Sequence, residues 1–182
     1  MPGSVEHPVI LVANRKGGTG KTTVAVNLAA ELVRTHGPTL LVDIDPQGHA
    51  GLGLGVIAKA GEPTVHDLFT GRSTRLEGAV RPTSIEGLDI VPADRSFAGD
   101  FTVREPRALA VALEPLRARY AAIVLDTAPI SSAATRTFAG KCASSFSKPA
   151  GALRGRPTPP CCCAPPSDAG IQRGTGTGGS TA

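Results

Sequence analysis

The sequence predicts an α/β fold: a mainly parallel sheet flanked by helices. Short apolar runs expected as buried strands recur at 9–13, 40–43 and 121–126, as strands covered on both sides of a parallel sheet require, and 88–92 reads as a further strand. A glycine-rich turn after the first run opens directly into a segment of helical periodicity. Beyond it, predicted strands and helices alternate along the chain, which is the pattern of helices packed on a parallel sheet.

Val9 to Ala13 is short, β-branched and apolar, and is expected as a buried strand. From Lys21, KTTVAVNLAAELVRTH places Val24, Leu28 and Leu32 at helical spacing, and Gly37-Pro38 stops a helix of about four turns. Leu40 to Asp43 is the second buried strand, and strand, helix and strand make a βαβ unit with a right-handed crossover. Residues 46–62 read as a loop passing into short irregular structure, and Thr64 to Phe69 as a short helix capped by Thr64. Leu88 to Pro92 is a strand, Arg104 to Tyr120 a helix interrupted near Pro115, and Ala121 to Asp126 a further buried strand.

At 182 residues the chain is long enough to bury one sizeable core. Residues 1–133 hold 13 basic and 14 acidic side chains, whereas 134–182 hold 6 and 1, so the basic excess belongs to the tail and gives the body no general nucleic-acid surface. All four cysteines (Cys142, Cys161, Cys162, Cys163) lie in that tail too, so the body reads as cytoplasmic. No apolar run reaches the length of a membrane span, and the N-terminus lacks the basic start of a signal peptide. The absence of Trp and the scarcity of other aromatics weigh against stacked-base recognition.

Chemistry concentrates in Asn14-Arg15-Lys16-Gly17-Gly18-Thr19-Gly20-Lys21-Thr22-Thr23, set between a strand and a helix as a phosphate-binding P-loop must be. Glycines 17, 18 and 20 let successive N–H groups turn toward one cavity, and the helix N-terminus adds positive charge. Lys21 can reach the β- and γ-phosphates of a nucleotide, and the Thr22 hydroxyl can ligate Mg²⁺. Asp43 and Asp45 end the second strand two residues apart, so both side chains point to one side at the sheet end where ligands bind. Asp126 ends the apolar run Ile123-Val124-Leu125, as a Walker B carboxylate does.

The P-loop pattern asks for Gly at position 15, where Arg15 stands, and Lys16 precedes the glycine pair. KGGTGKTT resembles the deviant Walker A loop of the ParA/MinD family of ATPases, and LLVDIDPQGHAGLGLG resembles the ParA branch, with His49 where Asn is usual. The likeness covers roughly residues 8–130 and includes TVHDLFTG, Val80 to Thr83, Gly87 to Ala93 and the Asp-Thr-x-Pro ending after the last strand.

That resemblance implies an ATPase of plasmid or chromosome partition that binds ATP and Mg²⁺ through Lys16, Gly17, Gly18, Thr19, Gly20, Lys21, Thr22 and Thr23. It implies that Lys16 reaches the partner's phosphates in an ATP-dependent homodimer, that Asp45 orients the attacking water, that Asp43 acts one shell out from Mg²⁺, and that Asp126 holds the metal through water. The partners it implies are a ParB-like activator and nonspecific DNA, with no membrane. A MinD-like membrane-associated ATPase would need a C-terminal amphipathic helix, and 134–182 carry no such stripe. A non-catalytic nucleotide-binding fragment is the other alternative.

After about Ala133 the periodicity stops. Residues 134–182 contain six Pro, eight Gly and a Cys triplet with few large apolar groups, so they read as a disordered low-complexity tail. The expected organisation is the N-terminal part of a ParA-like P-loop domain over 1–133, truncated or frameshifted there, followed by that tail. In such an incomplete sheet, Val9 to Ala13 would keep an open edge. His7, His36 and His66 lack partners at metal-ligand spacing and are expected to be solvated or capping, and the adjacent cysteines 161–163 cannot close a metal site alone.

Overall fold

The computed structural model describes residues 7–97 and 108–129; the expected boundary at 133 and the tail over 134–182 lie outside them. Its strands are β1 (Val9–Val12), β2 (Thr39–Asp43), β3 (Arg81–Pro82), β4 (Leu88–Val91) and β5 (Ala122–Asp126). The helices are α1 (Lys21–His36), α2 (His49–Gly53), α3 (Asp67–Thr70) and α4 (Ala108–Arg117). The sheet order is β1-β5-β2-β4-β3, with β1, β5, β2 and β4 parallel and only β3 antiparallel. The predicted α/β architecture is therefore the observed one, and β5 lies between the two strands of the first βαβ unit. No described helix is long and apolar enough to cross a membrane.

Strand alternation sorts the apolar runs onto two faces. Leu40 and Val42 of β2, with Ile123 and Leu125 of β5, meet Leu109, Ala112, Leu113 and Leu116 of α4 in one core. Leu41, Ala122 and Val124 point the other way and meet Ala25, Ala29 and Leu32 of α1. Both faces are dry, which is why the central strands read as continuous apolar runs rather than alternating ones. Burying each leucine of these cores stabilises the fold by about 1.5–3 kcal/mol.

Several elements differ from expectation. The buried stripe of α1 is Lys21, Ala25, Ala29 and Leu32, while Val24 is 54% exposed. Small alanines let the helix axis approach the sheet, and Val24, one position earlier than Ala25, is turned about 100° away. β1 is half-buried along its length, because among the described residues it has a strand partner, β5, on one side only. α4 runs through Pro115 to Arg117 instead of breaking there. The carbonyl that the proline cannot pair belongs to Val111, which is exposed and can use water.

Thr64 does not cap α3. The bond runs in reverse, the Thr64 N–H donating to Asp67 Oδ2 at 2.9 Å, so the carboxylate within the helix reaches back to the entering chain. Finally, α2 and β3 form where no element is expected. α2 begins after Gly48 in a glycine-rich string of poor helix propensity, and the contact that sustains it comes from β2, described below.

Candidate nucleotide site

The exposed loop Asn14–Gly20 joins β1 to α1 at the C-terminal end of the sheet. Gly18 (φ 68°) and Gly20 (φ 79°) adopt the left-handed conformation that side chains disfavour, and Gly20 is the N-cap residue of α1. No side chain caps that helix start, so its first-turn N–H groups are left to face a ligand. The loop is held by Lys16 N–H to Asn14 Oδ1 (3.3 Å) and by the Thr19 hydroxyl to the Lys16 carbonyl (3.2 Å). A Cβ at Gly17 would lie 3.8 Å from Pro129 Cγ, which sets the loop against the chain leaving β5.

Asp43 and Asp126 are paired across β2 and β5. Continuing the alternation of Leu41 and Val124, both carboxylates fall on the α1 face, at its Lys21–Thr22 end. Main-chain and hydroxyl contacts fasten the strand ends: Ile44 N–H donates to the Asp126 carbonyl (2.9 Å), and the Thr127 hydroxyl to the Val12 carbonyl (3.0 Å). Asp43 Oδ2 accepts the N–H groups of Ala50 and Gly51, both at 3.1 Å, at the start of α2. Asp45 Oδ1 accepts the Gln47 N–H (3.0 Å), and its carbonyl accepts the Gly48 N–H (2.8 Å).

Asp43 and Asp126 are fully buried, Asp45 nearly so, and Lys21 is the buried cation beside them. Burial pushes the Asp43 carboxyl up to about 7, against the pull of the Gly51 N–H and with the added repulsion of Asp126 and Asp45. Asp126 is also raised, chiefly by burial. The Thr22 hydroxyl and the Lys21 charge pull it down, and the Asp45 charge pushes it up. Asp43 Oδ1 and both Asp126 oxygens have no hydrogen bond of good geometry among the described residues.

Three buried carboxylate oxygens without a well-formed hydrogen bond, next to an ammonium and a hydroxyl, suit a hard cation carried in with an anion. Among the described residues no group of three acidic, His or Cys side chains can hold a metal by itself. The donor set therefore fits Mg²⁺ that keeps waters and takes its remaining ligands from phosphate oxygens, rather than an all-protein cage.

Of the residues singled out in the sequence, Lys21, Thr22, Asp43, Asp45 and Asp126 converge, and Gly17, Gly18, Thr19 and Gly20 line the loop leading to them. Lys16 and Thr23 are exposed and stand outside the carboxylate cluster. Sequence reasoning missed the Ala50 and Gly51 amides, whose only trace is the glycine at 51: a Cβ there would come 2.5 Å from the Val56 carbonyl oxygen. It also misjudged His66. The residue is 1% exposed and stands at the N-cap position of α3, but its side chain makes no cap bond.

A family model described as an AAA domain matches residues 7–139, well over half of the chain. The chain belongs to this family. Among curated relatives, the chromosome partitioning protein ParA of Caulobacter vibrioides is 38% identical over 128 residues, covering 66% of this chain and 48% of that protein. The chromosome-partitioning ATPase Soj of Thermus thermophilus is 45% identical over 121 residues, covering 66% and 45%. Over the matched residues the chain is similar to these chromosome-partitioning proteins. The chain spans about half the length of the curated relatives it matches. A solved structure titled cobyrinic acid a,c-diamide synthase from Mycobacterium smegmatis, with bound ATP analog and magnesium, superposes with TM-score 0.63 at 31% identity, covering 73% of this chain and 55% of that one.

Proposed function

We propose that this AAA-domain chain binds Mg-ATP and serves as a ParA-like ATPase of plasmid or chromosome partition in the cytoplasm. The observation that carries the reading is the Asp126 carboxylate, buried at the end of β5 beside Lys21 and Thr22 at the start of α1 with no hydrogen bond of good geometry. Such a cluster is costly alone and is relieved by a bound cation and phosphate.

In this reading the N–H groups of Gly17 to Thr23 and the Lys21 ammonium hold the phosphates, while Thr22 and Asp126 hold Mg²⁺, Asp126 through water. Bound Mg²⁺ neutralises charge on the phosphate oxygens. Asp43 keeps Oδ2 on the α2 amides and would act one shell out from Mg²⁺, and Asp45 would orient the attacking water. Lys16, exposed on the loop, is free to act across an ATP-dependent homodimer, and a ParB-like activator and nonspecific DNA complete the proposed set of partners.

The Lys21→Ala variant tests the assignment. Titration with a fluorescent ATP analogue and Mg²⁺ is expected to show saturable binding to the wild type and none to the variant; equal affinities would overturn the reading.

A further inference from the structure

The bonds between β1 and β5 advance in steps of two residues, as in any parallel pair. The Ile123 N–H donates to the Pro8 carbonyl at 2.9 Å, and the register runs from Val9↔Ile123 to Val12↔Asp126, so the same step brings position 127 opposite the Val12 carbonyl. There a side chain makes the bond: the Thr127 hydroxyl donates to that carbonyl at 3.0 Å, and Thr127 is 3% exposed. Val12 is the last residue of β1, and the exposed phosphate loop starts two residues later at Asn14.

The chain leaving β5 meets the loop again further on. A Cβ at Gly17 would stand 3.8 Å from Pro129 Cγ, the distance of ordinary contact, so the proline ring lies beside Gly17. The bonds inside the loop, Lys16 N–H to Asn14 Oδ1 and the Thr19 hydroxyl to the Lys16 carbonyl, set its shape and not where it stands. On the other side of β5, Asp126 is tied to the chain leaving β2 through its main-chain carbonyl, which accepts the Ile44 N–H at 2.9 Å. The Thr127 hydroxyl can therefore be removed without touching that tie.

We infer that Thr127 is a positioning residue, whose hydroxyl holds the end of β1 against the chain leaving β5 and so sets where the phosphate loop stands relative to Asp126. The consequence for nucleotide affinity rests on the proposed function. The consequence for the placement of the loop does not.

The test uses the full chain with Thr127→Val, which keeps the branched shape and loses the donor, and Thr127→Ser, which keeps the donor and loses a methyl group. On the nucleotide-free chain, the nuclear Overhauser effect between the Gly17 Hα atoms and the Pro129 ring is expected to weaken severalfold in Thr127→Val and to persist in Thr127→Ser. Exchange of the Ile44 amide, bonded to Asp126, is expected to change by less than about twofold in both. With Mg²⁺ and a fluorescent ATP analogue, Kd is expected to rise about tenfold in Thr127→Val, the scale set by one neutral hydrogen bond, and by less than about threefold in Thr127→Ser. A bond that only stabilised the fold would lower the urea midpoint and leave both the Gly17–Pro129 contact and Kd as they are.

An unchanged Gly17–Pro129 contact in Thr127→Val, an unchanged Kd, or a serine variant no better than valine would each overturn the inference. If Thr127→Val does not fold, the contrast between Thr127→Ser and wild type decides it, near-equality in contact and Kd supporting the inference and loss of either overturning it. A wild type that binds no nucleotide would sink the proposed function alone, since the Gly17–Pro129 contact still decides the role of Thr127.

Discussion

Asp43→Asn should stabilise this protein, and only at higher pH. The asparagine carbonyl can still accept the Ala50 and Gly51 N–H groups, so the start of α2 keeps its partner. What is removed is a charge that the site desolvates and that Asp126 and Asp45 repel. In the unfolded chain the carboxyl titrates at its ordinary 3.8, and in the native state at about 7. Between those values the native state holds a proton that the unfolded state has lost, so wild-type stability falls as pH rises and the loss is complete above 7.

Each decade of that interval is worth about 1.4 kcal/mol, which gives a penalty of about 4 kcal/mol at pH 8 and almost none at pH 4. His66 titrates in the opposite sense, since its native value of about 4 makes acid destabilising below its ordinary 6.5, but it is common to both proteins and cancels in their difference. The assay is paired urea and thermal unfolding of wild type and Asp43→Asn at pH 5 and pH 8, without nucleotide or divalent cation. The variant should melt roughly 10 °C higher at pH 8 and roughly 4 °C higher at pH 5. An equal difference at the two pH values, or a less stable variant at pH 8, would refute the buried-charge argument.

Further expectations concern the loop and the core. Lys16→Ala should leave monomer nucleotide binding near wild type while removing ATP-dependent dimerisation, as read by light scattering at fixed Mg-ATP; a loss of monomer binding as large as that of Lys21→Ala would make Lys16 an ordinary contact within one chain. Ala29→Leu should destabilise by about 1–3 kcal/mol in urea melts, because Ala29 is fully buried between α1 and the sheet and three added carbons force the helix outward. An unchanged midpoint would mean that the helix is less tightly seated than it stands.

The parts of the fold legible in the sequence are those set by local rules. Buried parallel strands carry near-continuous apolar runs, and α1 is bracketed by a glycine turn and Gly37. The loop, Lys21, Thr22 and the strand-end aspartates follow from position alone, because the C-terminal ends of parallel strands face the same way. What was not legible depended on contacts distant in sequence. α2 has almost no propensity of its own and exists where Asp43 receives its amides; the reversed bond from Thr64 to Asp67 depends on the angle at which the chain enters α3. The burial of His66 is set by Asp94 and Phe97, about thirty residues on. Choosing Val24 over Ala25 as the core face reflects a different limit, since side-chain size favours valine but the space between helix and sheet admits alanine.

The position of β5 bears on how the chain is made. This strand is the last of the described sheet to be synthesised, yet it stands between β1 and β2 and hydrogen-bonds both. Until residues 122–126 leave the ribosome, the first two strands have no neighbour on the sides that will finally meet. At ordinary elongation rates the interval from Asp43 to Ala122 lasts roughly 4–16 s, long compared with helix formation or collapse. During that time Val9–Val12 and Thr39–Asp43 present unpaired apolar edges. The step that closes the sheet is the same one that delivers Asp126 to the loop, so sheet completion and site assembly are a single late event, and the nascent chain is most open to chaperones and to misassociation just before it.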